Sequence, residues 1–317
     1  MVPIEEKDHM LTALAREIDG IRAYCLRQRP DCMLVLGDRD EAFAGAIVAT
    51  HLNIPLAHIH GGDASGPGVD ESLRHAISKM ANIHFPATKK SAARIMALGE
   101  EKWRVYVVGT PGLDMLGPKS RLSKRDTAFK LELDSQKSWI SILMHPTAFD
   151  STSLKVQIDS VLKAVARFPD HEKVVMYPNG DTGSDVFIRA LKKLPTRYRV
   201  FKSLPRELYV SAVAHSDVLV GNSSSGIIEL AFLGTPVVDV GNRQRGREHG
   251  TSVAHVSYNA SEIERAIKKA FVMKKKNDGR PFASPYGSGQ AGKKIAEILY
   301  RQLQNQKLLK KLPPGGK

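Results

Sequence analysis

The sequence predicts an α/β protein made of two doubly wound domains, each built on a parallel sheet. Apolar runs of strand length alternate with amphipathic stretches of helical period along the whole chain. The alternation fails once, in the polar, basic stretch from Gly117 to Lys137, which marks a domain boundary. Several strands run straight into loops rich in Gly, Asn, Asp and Ser, as expected where ligands sit beyond the carboxyl ends of parallel strands. The predicted organisation is therefore an N-terminal Rossmann-like domain over 1–117, a linker over 118–137, a second Rossmann-like domain over 138–309 and a disordered tail over 310–317.

Leu11, Leu14, Ile18, Ile21 and Leu26 recur at helical spacing and predict a first helix, closed by Arg29-Pro30. Strands are expected at 32–36, 54–60, 83–86 and 105–108, with helices at 41–51, 70–81 and 89–98 between them. Past the linker, strands are expected at 139–144, 173–177, 198–202, 217–220 and 236–240, with helices at 153–167, 184–194, 206–215 and 224–233. A long final helix spans 289–309 and ends in a Pro-Pro-Gly-Gly-Lys tail.

At 317 residues, 42% apolar and 25% charged, the chain has the composition of a globular protein and not of a disordered or fibrous one. Its longest apolar runs fall well short of the roughly 20 residues of a membrane span. Glu5, Glu6, Lys7 and Asp8 give the N-terminus neither the charge nor the apolar run of a signal peptide, so a cytoplasmic chain with no membrane partner is expected. Two cysteines, Cys25 and Cys32, build neither a disulfide framework nor a metal cluster. The net charge of +14 is uneven: residues 1–117 carry 13 basic and 15 acidic side chains, the remainder 34 and 18. The basic surplus peaks over 261–317, which has few aromatics and no nucleic-acid module, so it is expected to be a solvated face.

The first strand ends in Gly37-Asp38-Arg39, a carboxylate and a guanidinium at the ligand edge, with a helix N-cap as the alternative use of Asp38 or Asp40. The second ends in His58-Ile59-His60-Gly61-Gly62-Asp63, which places two imidazoles near one face but offers no third ligand at a metal-binding spacing. No metal is expected; one His is structural and the other lines a pocket. Asp70-Glu71-Ser72-Leu73-Arg74-His75 opens a helix in which Glu71, Arg74 and His75 share a face, a setting for proton transfer. In the second domain, His145-Pro146 ends the first strand, and Tyr177-Pro178-Asn179-Gly180 reads as a turn. Val220-Gly221-Asn222-Ser223-Ser224-Ser225-Gly226 runs from strand to helix and offers N–H and hydroxyl groups to a diphosphate. Glu229 has Gly226 three residues before it, hence no capping-box partner, and is free for a ribose hydroxyl. Arg243, Arg245 and Arg247 follow the next strand and suit phosphate oxygens. The loop is neither Gly-x-Gly-x-x-Gly nor a Walker loop.

These blocks, in this order, resemble the hydrolysing UDP-N-acetylglucosamine 2-epimerases of sialic acid biosynthesis over about residues 31–256. The resemblance implies a GT-B architecture with a UDP-sugar in the cleft between two Rossmann-like domains, no metal or other cofactor, and a homodimer. It implies elimination of UDP from UDP-GlcNAc, then hydration to free N-acetylmannosamine. Carried over by position, Asp38, Asp70, Glu71 and His145 are the acid/base candidates; Ser223, Ser224, Glu229 and Arg243 hold diphosphate and ribose; Arg39 and His60 line the pocket. Members begin with a strand and a Gly-Thr-Arg loop, whereas the first strand here aligns with their Gly-Asp-Arg strand. An incomplete first sheet with an exposed apolar edge is the expected result. The non-hydrolysing branch places a His after the Tyr-Pro strand where this chain has Asn179-Gly180, which favours the hydrolysing branch. The alternatives are a non-hydrolysing epimerase or another GT-B nucleotide-sugar enzyme, separated by their products, and an inactive nucleotide-sugar-binding protein. Related hydrolysing enzymes take bacillosamine-type sugars and GDP in place of UDP.

Overall fold

The first element of the structure, a computed structural model that describes residues 10–64, 69–148 and 150–311, is helix α1 (Met10–Gln28). It belongs to one of two units, which comprises residues 1–114 and 285–317. There follow β1 (Met33–Leu36), α2 (Asp40–His51), β2 (Leu56–Ile59), α3 (Val69–Met80), β3 (Ile83–Phe85) and α4 (Lys89–Ala97). The three strands form a parallel sheet in the order β1-β2-β3, with Leu36 opposite Ile59 and Ala57 opposite Ile83. β2 and β3 are wholly buried, as parallel strands covered on both faces are. β1 has no partner on its outer edge among the described residues, and Leu34 and Leu36 are exposed there. The expected apolar edge is thus present, as the floor of a groove walled by Ile21 and Tyr24 of α1 and bordered by Arg39. No strand forms at 105–108: Val105 makes a single bridge to His84, and the segment turns away at Gly109.

The second unit spans residues 115–284. Its first helix, α5 (Lys124–Leu131), lies where a linker was expected. Thr127, Ala128 and Leu131 are buried, and Leu131 packs with Val174 and Ala212; a polar, basic sequence hides that narrow apolar side. The chain continues through β4 (Trp139–Leu143), α6 (Leu154–Val165), β5 (Glu172–Met176), α7 (Ser184–Leu191), β6 (Tyr198–Phe201), α8 (Arg206–His215), β7 (Val218–Gly221), α9 (Ser224–Ile228), β8 (Val237–Val240), β9 (Val253–Val256) and α10 (Ala260–Asn277). The sheet is parallel in the order β6-β5-β4-β7-β8-β9. That is the doubly wound order, and its switch point lies between β4 and β7, where His145 and Asn222-Ser223 emerge. Ile140, Ile142, Val161, Val175, Val218, Val220, Val238 and Ile267 form the core. β9 escapes sequence reading because it is an edge strand in which only Val256 is buried, so no alternation marks it. Residues 224–233 do not make one helix: α9 stops after five residues and leaves Glu229 as its C-cap.

The last helix, α11 (Ala291–Gln302), is shorter than the expected 289–309 and belongs to the first unit, not the second. Asp114 accepts hydrogen bonds from the N–H groups of Ala291 (2.9 Å) and Gly292 (2.7 Å), holding its N-terminus. Ile295 and Leu308 pack with Ala57, Ile59, Ile83 and Phe85. The buried Arg104 guanidinium donates to the carbonyls of Leu308 (2.7 Å) and Lys310 (2.8 Å), so the expected disordered tail is placed as far as Lys311; 312–317 lie outside the described residues.

Glu100 ties this return together. Its sealed carboxylate accepts from Lys79 (2.6 Å), Lys311 (2.7 Å) and His84 (3.1 Å). Burial alone pushes its pKa up, but the hydrogen bonds from His84, Lys311 and Lys79 outweigh it and hold the group at about 2. A depressed carboxyl pKa stabilises the fold above the ordinary value of 4.5 and loses that contribution as pH falls toward about 2. Melting temperatures of the wild type and Glu100→Gln are therefore expected to differ most at pH 5 and above, and to converge as the pH is lowered.

Candidate active site

In the first unit, the carboxyl ends of β1 and β2 and the start of α3 converge on Arg74. This side chain is 3% exposed, and its guanidinium donates to Asp38, to Glu71 (2.6 Å) and to the carbonyl of Asp63 (2.8 Å). One buried cation thus sets the positions of two carboxylates that are 36 and 3 residues away in sequence, each still partly open to solvent. The second oxygen of Glu71 lies 3.3 Å from His75 Nε2. Asp38 caps nothing, because the N-cap of α2 is Arg39, which makes no side-chain cap bond. Arg39 is exposed on the β1 groove, and Asp70 is exposed in the first turn of α3, both outside the Arg74 set.

The two histidines part company. His58 is wholly buried, with Nε2 donating to the Gly37 carbonyl (2.8 Å) and Nδ1 against Ser78 Oγ (3.2 Å). Burial pushes it down to about 4, so it is neutral and structural. His60 adopts φ +64°, and both its nitrogens are taken, by Asp63 (2.8 Å) and by Thr110 Oγ1 (2.8 Å). Its role is to orient Asp63, whose other oxygen accepts from Ser91 (2.7 Å). Asp63 is marked by the fold, which brings His60, Ser91 and Arg74 onto one residue. Among the described residues no group of three or more His, Cys, Asp or Glu is arranged to hold a metal ion.

In the second unit, His145 sits at the switch point with its backbone clamped by Asn222: its N–H donates to Asn222 Oδ1 (2.7 Å) and its carbonyl accepts from Asn222 Nδ2 (2.9 Å). Burial and the Arg243 charge lower its pKa, so it is neutral at physiological pH. The Asn222 carbonyl in turn accepts from Arg243 (3.2 Å) and Gln244 (2.9 Å), which draws the arginine loop over the same strand ends. Arg243 also faces Asp181 at 3.5 Å. Ser223 is the N-cap of α9 and is mostly buried; Ser224 beside it is half-buried. Glu229 pairs with Arg206 at 3.0 Å through one oxygen, while the other is buried with no partner among the described residues. An orphaned acceptor beside a hydroxyl-rich loop suits a ligand hydroxyl.

Sequence reasoning missed Tyr209. Its buried hydroxyl, pushed up to about 12 by burial, bonds Ser225 Oγ (2.6 Å), which bonds Ser223 Oγ (3.0 Å). The relay orients the Ser223 hydroxyl. Tyr209→Phe removes one hydrogen-bonded group from a buried chain, and KM is expected to rise about fivefold, equivalent to about 1 kcal/mol, with kcat little changed. Steady-state kinetics on the purified variant checks this.

Similarity to known proteins decides the family. The model of the UDP-N-acetylglucosamine 2-epimerase family matches residues 4–300, nearly the whole chain. The chain belongs to the UDP-N-acetylglucosamine 2-epimerase family. Among its relatives, the UDP-N,N'-diacetylbacillosamine 2-epimerase (hydrolyzing) of Legionella pneumophila is 34% identical over 306 residues, covering 94% of this chain and 79% of that protein. The polysialic acid biosynthesis protein P7 of Escherichia coli is 33% identical, over 82% of this chain and 67% of that protein. The crystal structure of UDP-GlcNAc 2-epimerase from Neisseria meningitidis bound to UDP-GlcNAc superposes with a TM-score of 0.81 at 20% identity, over 94% of this chain and 84% of that one. The fold is thus the GT-B-like α/β class of this epimerase family, and the family is one of enzymes. No helix among the described residues is long and apolar enough to cross a membrane.

Proposed function

We propose that this epimerase is of the hydrolysing kind, converting UDP-GlcNAc, or a UDP-2-acetamido sugar altered at C4 or C6, into UDP and free ManNAc or its analogue. The observation that carries the reading is the pair Asp38 and Glu71, positioned by one buried guanidinium at the ligand edge of the first unit. The 34% identity to a relative named as hydrolyzing supports the branch.

Elimination removes the proton at C2 and breaks the C1–O bond to UDP, which leaves with the bonding electrons. Hydration then adds hydroxide to C1 and a proton to C2 on the opposite face, so that UDP-sugar plus water becomes free sugar plus UDP. The carboxylates of the first unit take and return the C2 proton. Ser223, Ser224 and Arg243 hold the diphosphate on which charge develops, and Glu229, with its unpartnered oxygen, takes the ribose. No step of this chemistry requires a metal or a nicotinamide.

A proton NMR time course with UDP-GlcNAc in D2O tests this. Release of UDP together with ManNAc carrying deuterium at C2 is expected. Accumulation of UDP-ManNAc would place the enzyme in the non-hydrolysing branch instead.

A further inference from the structure

His145 follows β4 and Asn179 follows β5, and the two meet at one ring nitrogen. His145 Nδ1 lies 3.1 Å from the backbone N of Asn179 and 2.9 Å from the same residue's Oδ1. A backbone N–H only donates, and a protonated ring nitrogen has no lone pair to accept it. Nδ1, as the acceptor of that N–H, is therefore the unprotonated nitrogen. An amide oxygen against it would set lone pair against lone pair, so the carboxamide is assigned with its ends exchanged by a half-turn about the Cβ–Cγ bond, which brings the amino group to that place. We infer that Asn179 is a positioning residue that fixes His145 as the neutral tautomer with its proton on Nε2.

The surroundings leave Nε2 for a ligand. Asn222 clamps the backbone of His145 on both sides, so only ring rotation remains, and Asn179 sets that. His145 is 9% exposed, and its ring hydrogen bonds among the described residues all run through Nδ1. An imidazole presenting Nε2–H is a hydrogen-bond donor to an anionic oxygen and is not a base at that atom. The inference rests on the proposed reaction for its catalytic meaning: proton abstraction falls to the carboxylates of the first unit, and His145 serves the departing anion. The tautomer itself stands or falls without that reading.

The test is a long-range proton–nitrogen correlation spectrum of the full chain labelled with nitrogen-15 histidine at pH 8, the His145 signals being identified by their loss in His145→Gln. A proton-free Nδ1 and a protonated Nε2 are expected; a protonated Nδ1 in the wild type overturns the inference. Asn179→Asp leaves the backbone N–H in place but sets a charged acceptor beside Nδ1, which should outcompete it, draw the proton to Nδ1 and lower kcat by about tenfold or more with KM changed far less. If Asn179→Asp keeps both the Nε2–H tautomer and the wild-type kcat, the side chain of Asn179 is not what positions the ring. If the wild type shows the expected tautomer but releases no UDP from UDP-GlcNAc, the assignment of Asn179 holds and the proposed reaction fails.

Discussion

Replacing Glu71 with Gln is expected to lower kcat by about 10²–10⁴-fold while UDP affinity stays near that of the wild type. The substitution keeps the size of the side chain and removes its capacity to take a proton. Glu71 receives Arg74 on one oxygen at 2.6 Å and faces His75 at 3.3 Å on the other. Under the proposed function UDP is held by Ser223, Glu229 and Arg243 of the second unit, which the change does not touch, so calorimetric titration with UDP should be unaltered. Asp38→Asn is expected to behave alike, since Asp38 shares the same guanidinium. A variant that retains wild-type turnover in the NMR assay would remove that carboxylate from the mechanism. A thermal scan distinguishes the chemical effect from unfolding, because breaking a partly buried ion pair costs stability as well.

Gly221→Ala is expected to be the most damaging addition of a single methyl group in the second unit. At φ +153°, a Cβ on residue 221 would lie 1.9 Å from the carbonyl oxygen of Leu143 and 2.5 Å from its carbon. Both are backbone atoms of β4, the strand to which β7 pairs with Leu143 opposite Gly221, so neither can move aside without opening the sheet at its switch point. A loss of about 4 kcal/mol, or roughly 10 °C in Tm, is expected. Gly226→Ala is the informative control. Its Cβ would meet Val237 Cγ1 at 3.1 Å and Leu219 Cδ2 at 3.3 Å, both ends of side chains that can shift, and about 1–2 kcal/mol is expected. Equal melting temperatures for the two variants would contradict the assignment of backbone contact at Gly221.

Much of the fold is legible because its signals are local. The β1–α2–β2–α3–β3 series and the strands from β4 to β8 announce themselves through short apolar runs broken by Gly, Asn, Asp and Ser, and their observed bounds fall within a few residues of those expected. The failures share a cause. Residues 105–108 have the apolar character of a strand but make only one bridge, while β9 is a strand without the alternation that identifies one, because it lies at an edge. α5 reads as a linker in sequence because its buried side is only Thr127, Ala128 and Leu131 in a basic surround.

The motifs of the candidate site are equally legible as residue types, since Asp38, Glu71, His145, Ser223 and Arg243 each stand just past a strand or in the first turn of a helix. Their partners were not. Arg74 reaches Asp38 across 36 residues, His145 meets Asn179 across 34, and Tyr209 touches Ser225 across 16. The sequence by itself determined the α/β class, the order of the strands along the chain and the chemistry available at their ends, because propensity, period and turn residues act over a few neighbouring positions. The tertiary structure alone decided which of these groups share a proton or a charge, and that the segment after residue 285 joins the first unit through Asp114, Arg104 and Glu100. Those choices follow from burial: an apolar face such as Ile295 and Leu308 must find a matching surface, and buried charges must find partners, wherever in the chain these lie.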